Sequence, residues 1–237
     1  MRPGAAAFTL VELVLIVGII VTLAVLLFPI LSGVQARAKR TACLDNLKQA
    51  AISFQMYAAD NEGKLPQNSP QPDAASNAWV LGNMKLSVDS TNQTLIRQSK
   101  LYPYASQVTL YRCPADPSRT EDSPRVRSYS MNGWVGSRYM EDLSPATGYR
   151  TFVRDSELAA AGPANVWLIS DEHEASIDDA WFLLPMDDSR LASLPATRHQ
   201  NSYGLNFADG HADFFKMRAE GAGQLDWQKL KQATTVK

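Results

Sequence analysis

From Phe8 to Leu31 the chain is apolar except for Thr9, Glu12, Gly18, Thr22 and Pro29, and no second run of that length follows. A helix over such a stretch spans about 30 Å of hydrocarbon. The fold is therefore expected to begin with one membrane-crossing helix, placed over residues 8–33, and to continue as a head on one side of the bilayer. Secretory signal peptides carry shorter apolar cores, of about 7–15 residues. Ala36-Arg37-Ala38 nevertheless reads as a small-x-small cleavage site, and a cut there would release a secreted protein beginning at Lys39. Charge does not orient the helix: Arg2 precedes it while Arg37, Lys39 and Arg40 follow, which for a plain anchor would favour the reverse orientation.

Glu12 is the informative residue of this segment. A carboxylate inside a membrane helix costs a few kcal/mol unless it is neutralised or paired. Glu12 therefore either lies close enough to the interface to stay hydrated or has a partner. Phe8-Thr9-Leu10-Val11-Glu12-Leu13 resembles the prepilin-type cleavage and methylation motif, F-T-L-x-E-L. The resemblance implies that a membrane peptidase cuts between Ala7 and Phe8, that the new amino group of Phe8 is N-methylated, and that Glu12 pairs with the terminus of a neighbouring subunit. Where the family usually has Gly before the cut, this chain has Ala7, with Gly4 the nearest glycine. Pro29, twenty-one residues after Phe8, sits where many pilins carry a helix-kinking proline.

Past Gly33 the apolar residues thin to Leu44, Leu47, Ala51, Phe54 and Ala58, at the three- and four-residue spacing of a helix with one buried face. That amphipathic part is assigned to residues 34–62, with Gly63 as the stop and Pro66 as a sharp exit. The exit, Tyr57 to Pro66, resembles the Y-x-x-D-N-G-x-Y-P region of type II secretion pseudopilins, with Glu62 inserted. Residues 66–78 read as a solvated loop, and prolines at 103, 114, 117, 124 and 145 predict short elements with irregular connections. Val166 to Ser170 reads as a buried strand. The whole chain is 45% hydrophobic, and the remainder, 63–237, is long enough for one globular head. The chain's 23 basic and 24 acidic side chains leave no global field that would attract nucleic acid.

Cys43 and Cys113 form no CxxC pair, so zinc-ribbon and thioredoxin spacings are absent. One disulfide or two free thiols both stay open. In an extracytoplasmic compartment a bridge closing a loop of this length would contribute roughly 4 kcal/mol.

The strongest local signal in the head is Tyr203 to Phe215, where Asp209-Gly210 separates two alternating runs. It predicts a hairpin with a two-residue turn, Leu205 opposite Phe214, Phe207 opposite Ala212, and Asn206, His211 and Asp213 together on the other face. His199 precedes Asp209-Gly210 by nine intervening residues, and this resembles the H-x9-DG motif at the C-terminus of a large family of prepilin-like proteins. Thr41 to Gln49 resembles the same family's C-x-N-N-L-K-Q helix, and Tyr111-Arg112-Cys113-Pro114 its C-P loop.

His199, Asp209, His211 and Asp213, with Asp171, Glu172 and His173, are imidazole and carboxylate candidates for a divalent metal, and Asp187-Asp188-Ser189 is a candidate calcium loop. Each residue also has an ordinary role: Asp209 in the turn, His211 on an exposed strand position, His199 in a hydrogen bond to the hairpin backbone. No cofactor is expected on balance. Asp171-Glu172-His173-Glu174 is not HExxH, and no nucleophile elbow accompanies the three histidines, so no enzyme is expected either.

The expected fold class is α+β and pilin-like: a long N-terminal helix, half transmembrane and half amphipathic, packed on a small antiparallel sheet with long loops, behind a leader of residues 1–7. The resemblance implies a pseudopilin subunit of a type II secretion or type IV pilus-like filament, anchored in the bacterial inner membrane with its head on the periplasmic side. Its implied partners are the prepilin peptidase and methylase, other pseudopilin subunits, the inner-membrane assembly machinery and the lipid bilayer. The competing expectation is a membrane-tethered binding module or metal-dependent enzyme that uses the helix only as an anchor.

Overall fold

The computed structural model describes residues 9–70, 77–143, 148–186, 192–217, 219–220, 224–225 and 228–237, the side chains of 26–32, 219–220, 224–225 and 228–229 excepted. The chain divides into two compact units, Met1–Lys39 and Arg40–Lys237. The first element, α1 (Leu10–Asp60), contributes residues to both, and its backbone stays helical through position 29.

Over residues 10–25 of the first unit α1 is apolar on all sides but for Glu12 and Thr22. Large side chains from Leu10 (77% exposed) to Val25 (67%) stand open, with Ile16 the least exposed of them at 41%. Such a helix has no polar face to present to water. Its only described carboxylate, Glu12, lies in the first turn and accepts from the Thr9 N–H (2.9 Å) and the Thr9 hydroxyl (2.7 Å). Among the described residues no helix is long and apolar enough to cross a membrane. The segment expected to do so, 8–33, includes Phe8 and the side chains of 26–32, which lie outside the described residues, as do Ala7 with the rest of the leader and Asp187-Asp188 of the calcium loop.

In the second unit α1 becomes the spine of a core. Cys43, Leu47, Ala50, Ala51, Phe54, Tyr57 and Ala58 are buried, so the expected face holds at Leu47, Ala51, Phe54 and Ala58, while Leu44 is only half-buried. The helix ends as Gly63, at φ +75°, turns its N–H back to the Ala58 carbonyl at 2.8 Å. Short helices follow, α2 (Ser87–Ser90), α3 (Gln93–Gln98) and α4 (Tyr102–Ala105), then a 3-10 turn at Val108–Tyr111. Next come β1 (Arg119–Thr120), β2 (Ser123–Pro124), β3 (Tyr129–Asn132), α5 (Tyr139–Leu143) and α6 (Asp155–Ala161). The chain continues with β4 (Trp167–Asp171), β5 (Trp181–Phe182), β6 (Ser202–Phe207) and β7 (Ala212–Lys216), and ends with β8 (Ala219–Glu220), β9 (Gln224–Leu225) and α7 (Gln228–Gln232).

Five strands form the main sheet in the order β5-β3-β4-β6-β7. Every residue of β6 is buried, because both faces of the sheet are covered. Tyr203, Leu205 and Phe207 pack with Trp167, Phe182 and Leu184 on one side. On the other side Gly204 admits α1: a Cβ there would stand 2.7 Å from the Leu47 side chain. Asn206, one register step on, donates to the Leu47 carbonyl at 2.7 Å and accepts from the Ile169 N–H at 2.7 Å.

The architecture is thus α+β with a long N-terminal helix, and β4 lies where a buried strand was expected. Two details correct the sequence reading. The sheet is mixed rather than antiparallel, since β5 pairs parallel with β3 through Met131↔Trp181 and Asn132↔Phe182. The β6–β7 hairpin closes through three residues, Ala208-Asp209-Gly210, and pairs Leu205 with Asp213 and Asn206 with Ala212. A two-residue turn of the expected type needs positive φ at both positions, and only Gly210 (φ +98°) adopts it. The one-residue slip moves Asn206 onto the α1 side, away from His211, which stacks on Phe207 at 4.2 Å.

Candidate functional site

Three segments singled out separately in the sequence meet at one point in the head. The first turns of its α1 segment present Cys43. The loop after the 3-10 turn presents Cys113, held by its own N–H on the Ser128 hydroxyl (2.9 Å). The turn before β6 presents His199, where Gln200 and Asn201 take positive φ (+55° and +59°) to bring the chain into the strand.

The ligand atoms of Cys43, Cys113 and His199 all lie within 4.8 Å of one another. Cys113 Sγ is 3.1 Å from His199 Nε2, and Cys43 Sγ is 3.3 Å from the Tyr129 hydroxyl on β3. Both cysteines are free thiols and fully buried, and His199 is 5% exposed. The expected hydrogen bond from the His199 ring to the hairpin backbone is replaced by this sulfur contact. Instead, the ring meets the hairpin edge-on at Phe214, centroids 4.8 Å apart. Arg40 covers the other side of the arrangement, its guanidinium 4.0 Å over the Phe214 ring and its Nη1 donating to the His199 carbonyl at 3.3 Å.

The two thiols influence each other. The hydrogen bond with Cys113, helped by His199 and Tyr129, pulls Cys43 below the usual thiol range against the effect of burial. The same hydrogen bond, then burial and the Asp171 carboxylate, push Cys113 above it.

A buried ionic layer borders the cluster. Arg198, next in sequence to His199, reaches Asp171 at 2.7 Å, Asp116 at 3.0 Å and Glu174 at 2.7 Å, and Arg112 adds a contact to Asp116 at 3.3 Å. Burial nevertheless raises Asp171 to about 7, with Arg198 opposing the shift. Glu172 is likewise raised to about 7 by burial, against the pull of the Ser130, Ser176 and Ser193 hydroxyls.

The remaining residues proposed from the sequence do not join this group. Asp209 accepts from the His211 N–H (3.1 Å) and pairs with its ring Nδ1 (2.5 Å) at the surface turn. His173 accepts the Ala175 N–H at 3.1 Å and is 42% exposed. Gly210 serves the turn. Among the described residues, the one set of three or more His, Cys, Asp and Glu side chains with gathered ligand atoms is Cys43, Cys113 and His199. Asp171, named from the sequence as a metal candidate beside His199, pairs with Arg198 instead; Tyr129, Arg198 and Asp116 were not singled out, because as isolated polar residues in the sequence they carry no spacing that marks them.

Chemically, Cys113 and His199 form a thiol–imidazole contact closed to solvent, so a substrate has no approach to it. A groove of about 310 Å³ lies further along the head, lined by Phe54, Ala58, Leu65, Leu158 and Leu168, and Asp155 is its only charged lining residue. No protein-family model, curated protein or solved structure matches this chain.

Proposed function

We propose that the chain is a prepilin-like structural subunit, a pseudopilin, processed and N-methylated at Phe8 and assembled through its N-terminal helix into a type II secretion or type IV pilus-like filament at the bacterial inner membrane. The observation that carries this is the first unit of α1: a helix exposed and apolar on every side, with a single carboxylate in its first turn. Apolar surface of this extent requires lipid or other apolar helices around it. Residues 10–25 form the described part of that surface, and the proposed membrane segment continues to 33. Glu12 is satisfied only by Thr9, one residue from the proposed mature terminus, so a neighbour's amino group delivered there would meet a carboxylate already at the helix start. The pairing would neutralise a charge that is costly in hydrocarbon.

The head then supplies surface, not catalysis. The competing proposal, a tethered binding module or metal-dependent enzyme, draws on the Cys43–Cys113–His199 cluster. Its burial suits an ion held for structure better than one that reacts.

Glu12→Ala tests the assembly role. The variant is expected to reach the membrane fraction with a normally folded head and to lose most incorporation into crosslinkable oligomers. Wild-type levels of incorporation would contradict the role assigned to Glu12.

A further inference from the structure

We propose that Cys43, Cys113 and His199 bind one zinc ion inside the head, fastening the α1 spine, the Cys113 loop and the turn before β6 to one another. The donor set is the first reason. Two sulfurs and an imidazole nitrogen are soft ligands that favour zinc over calcium or magnesium. Geometry is the second. A tetrahedral ion about 2.3 Å from sulfur and 2.0–2.1 Å from nitrogen sets its ligand atoms roughly 3.5–3.8 Å apart. The 3.1 Å separation of Cys113 Sγ and His199 Nε2, inside a group spanning no more than 4.8 Å, needs only small side-chain shifts to reach that. The Tyr129 hydroxyl lies 3.3 Å from Cys43 Sγ, beside the three ligands.

Charge and support agree with this. Two thiolates balance the ion and leave the buried site neutral, and their two protons pass to solvent as the metal enters. Cys113 Sγ also accepts the Ala115 N–H at 3.4 Å, a bond that steadies a metal-bound sulfur. Phe214 packs edge-on against the imidazole, and Arg40 lies over the Phe214 ring and donates to the His199 carbonyl. A disulfide would join the two sulfurs and leave His199 buried without a partner suited to its Nε2. The zinc site depends on the head alone, so it stands or falls independently of the filament proposal.

The full chain is to be purified in detergent under reducing conditions with zinc as the only added metal, and its bound metals and thiol state measured. About one equivalent of tightly held zinc is expected, with both thiols shielded from alkylation until a strong chelator is added. His199→Gln and Cys113→Ser are expected to lower zinc affinity at least tenfold, while His211→Gln and Asp209→Asn leave it unchanged. A variant of the first pair that fails to fold reports no affinity, so cobalt added to the metal-free wild-type chain provides a second measurement: thiolate-to-cobalt charge-transfer absorption and tetrahedral visible bands are expected. Failure of the wild-type chain to take up zinc, copper in its place, or an intramolecular Cys43–Cys113 disulfide that resists alkylation would each overturn the proposal.

Discussion

The same helix has opposite surroundings in its two units. Leu15, in the first, is 63% exposed, whereas Leu47, in the second, is fully buried against Gly204. Over residues 10–25 of the first unit nearly all the side chains are apolar, and no described part of the chain covers them. In the second unit one face is apolar, and the chain itself supplies a sheet with a glycine at the closest approach. The difference separates two kinds of stabilisation along one element. The head covers the apolar face of its own helix segment, while the large apolar side chains of residues 10–25 stay exposed.

Replacing the same residue type in each unit breaks the comparison most sharply. Leu47→Ala removes buried methyl groups at a close contact and should destabilise the head by about 2–5 kcal/mol, read from denaturant unfolding of the full chain in detergent. Leu15→Ala at an exposed position should change that same transition by no more than about 0.5 kcal/mol while weakening oligomers. Equal effects on unfolding would mean that the two units do not differ as described.

Between these lies a pH effect confined to the head. Burial raises the carboxyl of Glu172 from its ordinary 4.5 to about 7. Between those two values the folded head holds a proton that the unfolded chain has released. Its contribution to stability is therefore present at the acid end and is lost as pH rises through about 7. Glu172→Gln should remove from the stability–pH profile a downward slope of up to about 1.4 kcal/mol per pH unit in that window. A profile unchanged by the substitution would show that Glu172 titrates normally.

What could be read in advance follows the range of the physics involved. The spine at Leu47, Ala51, Phe54 and Ala58 was legible because helical period is local, and β4 because a short apolar run is its own signature. The hairpin was legible as a hairpin but not in register, because a three-residue loop and a two-residue turn both use Asp-Gly. Only the backbone angle at Asp209 separates them. The parallel pairing of β5 rests on two residues and has no sequence signal. For the candidate site, Cys43, Cys113 and His199 each stood out within a motif. Their convergence is set by how the chain folds over the 155 positions between the first and the last. The ion pairs of Arg198 with Asp116 and Asp171 were not legible, because nothing in their spacing reports burial.

The mature N-terminus of the protein purified from native membranes, determined by mass spectrometry, tests the central claim most directly. The account predicts a chain beginning at N-methylated Phe8, cut after Ala7. An intact Met1, or a start at Lys39, would contradict it.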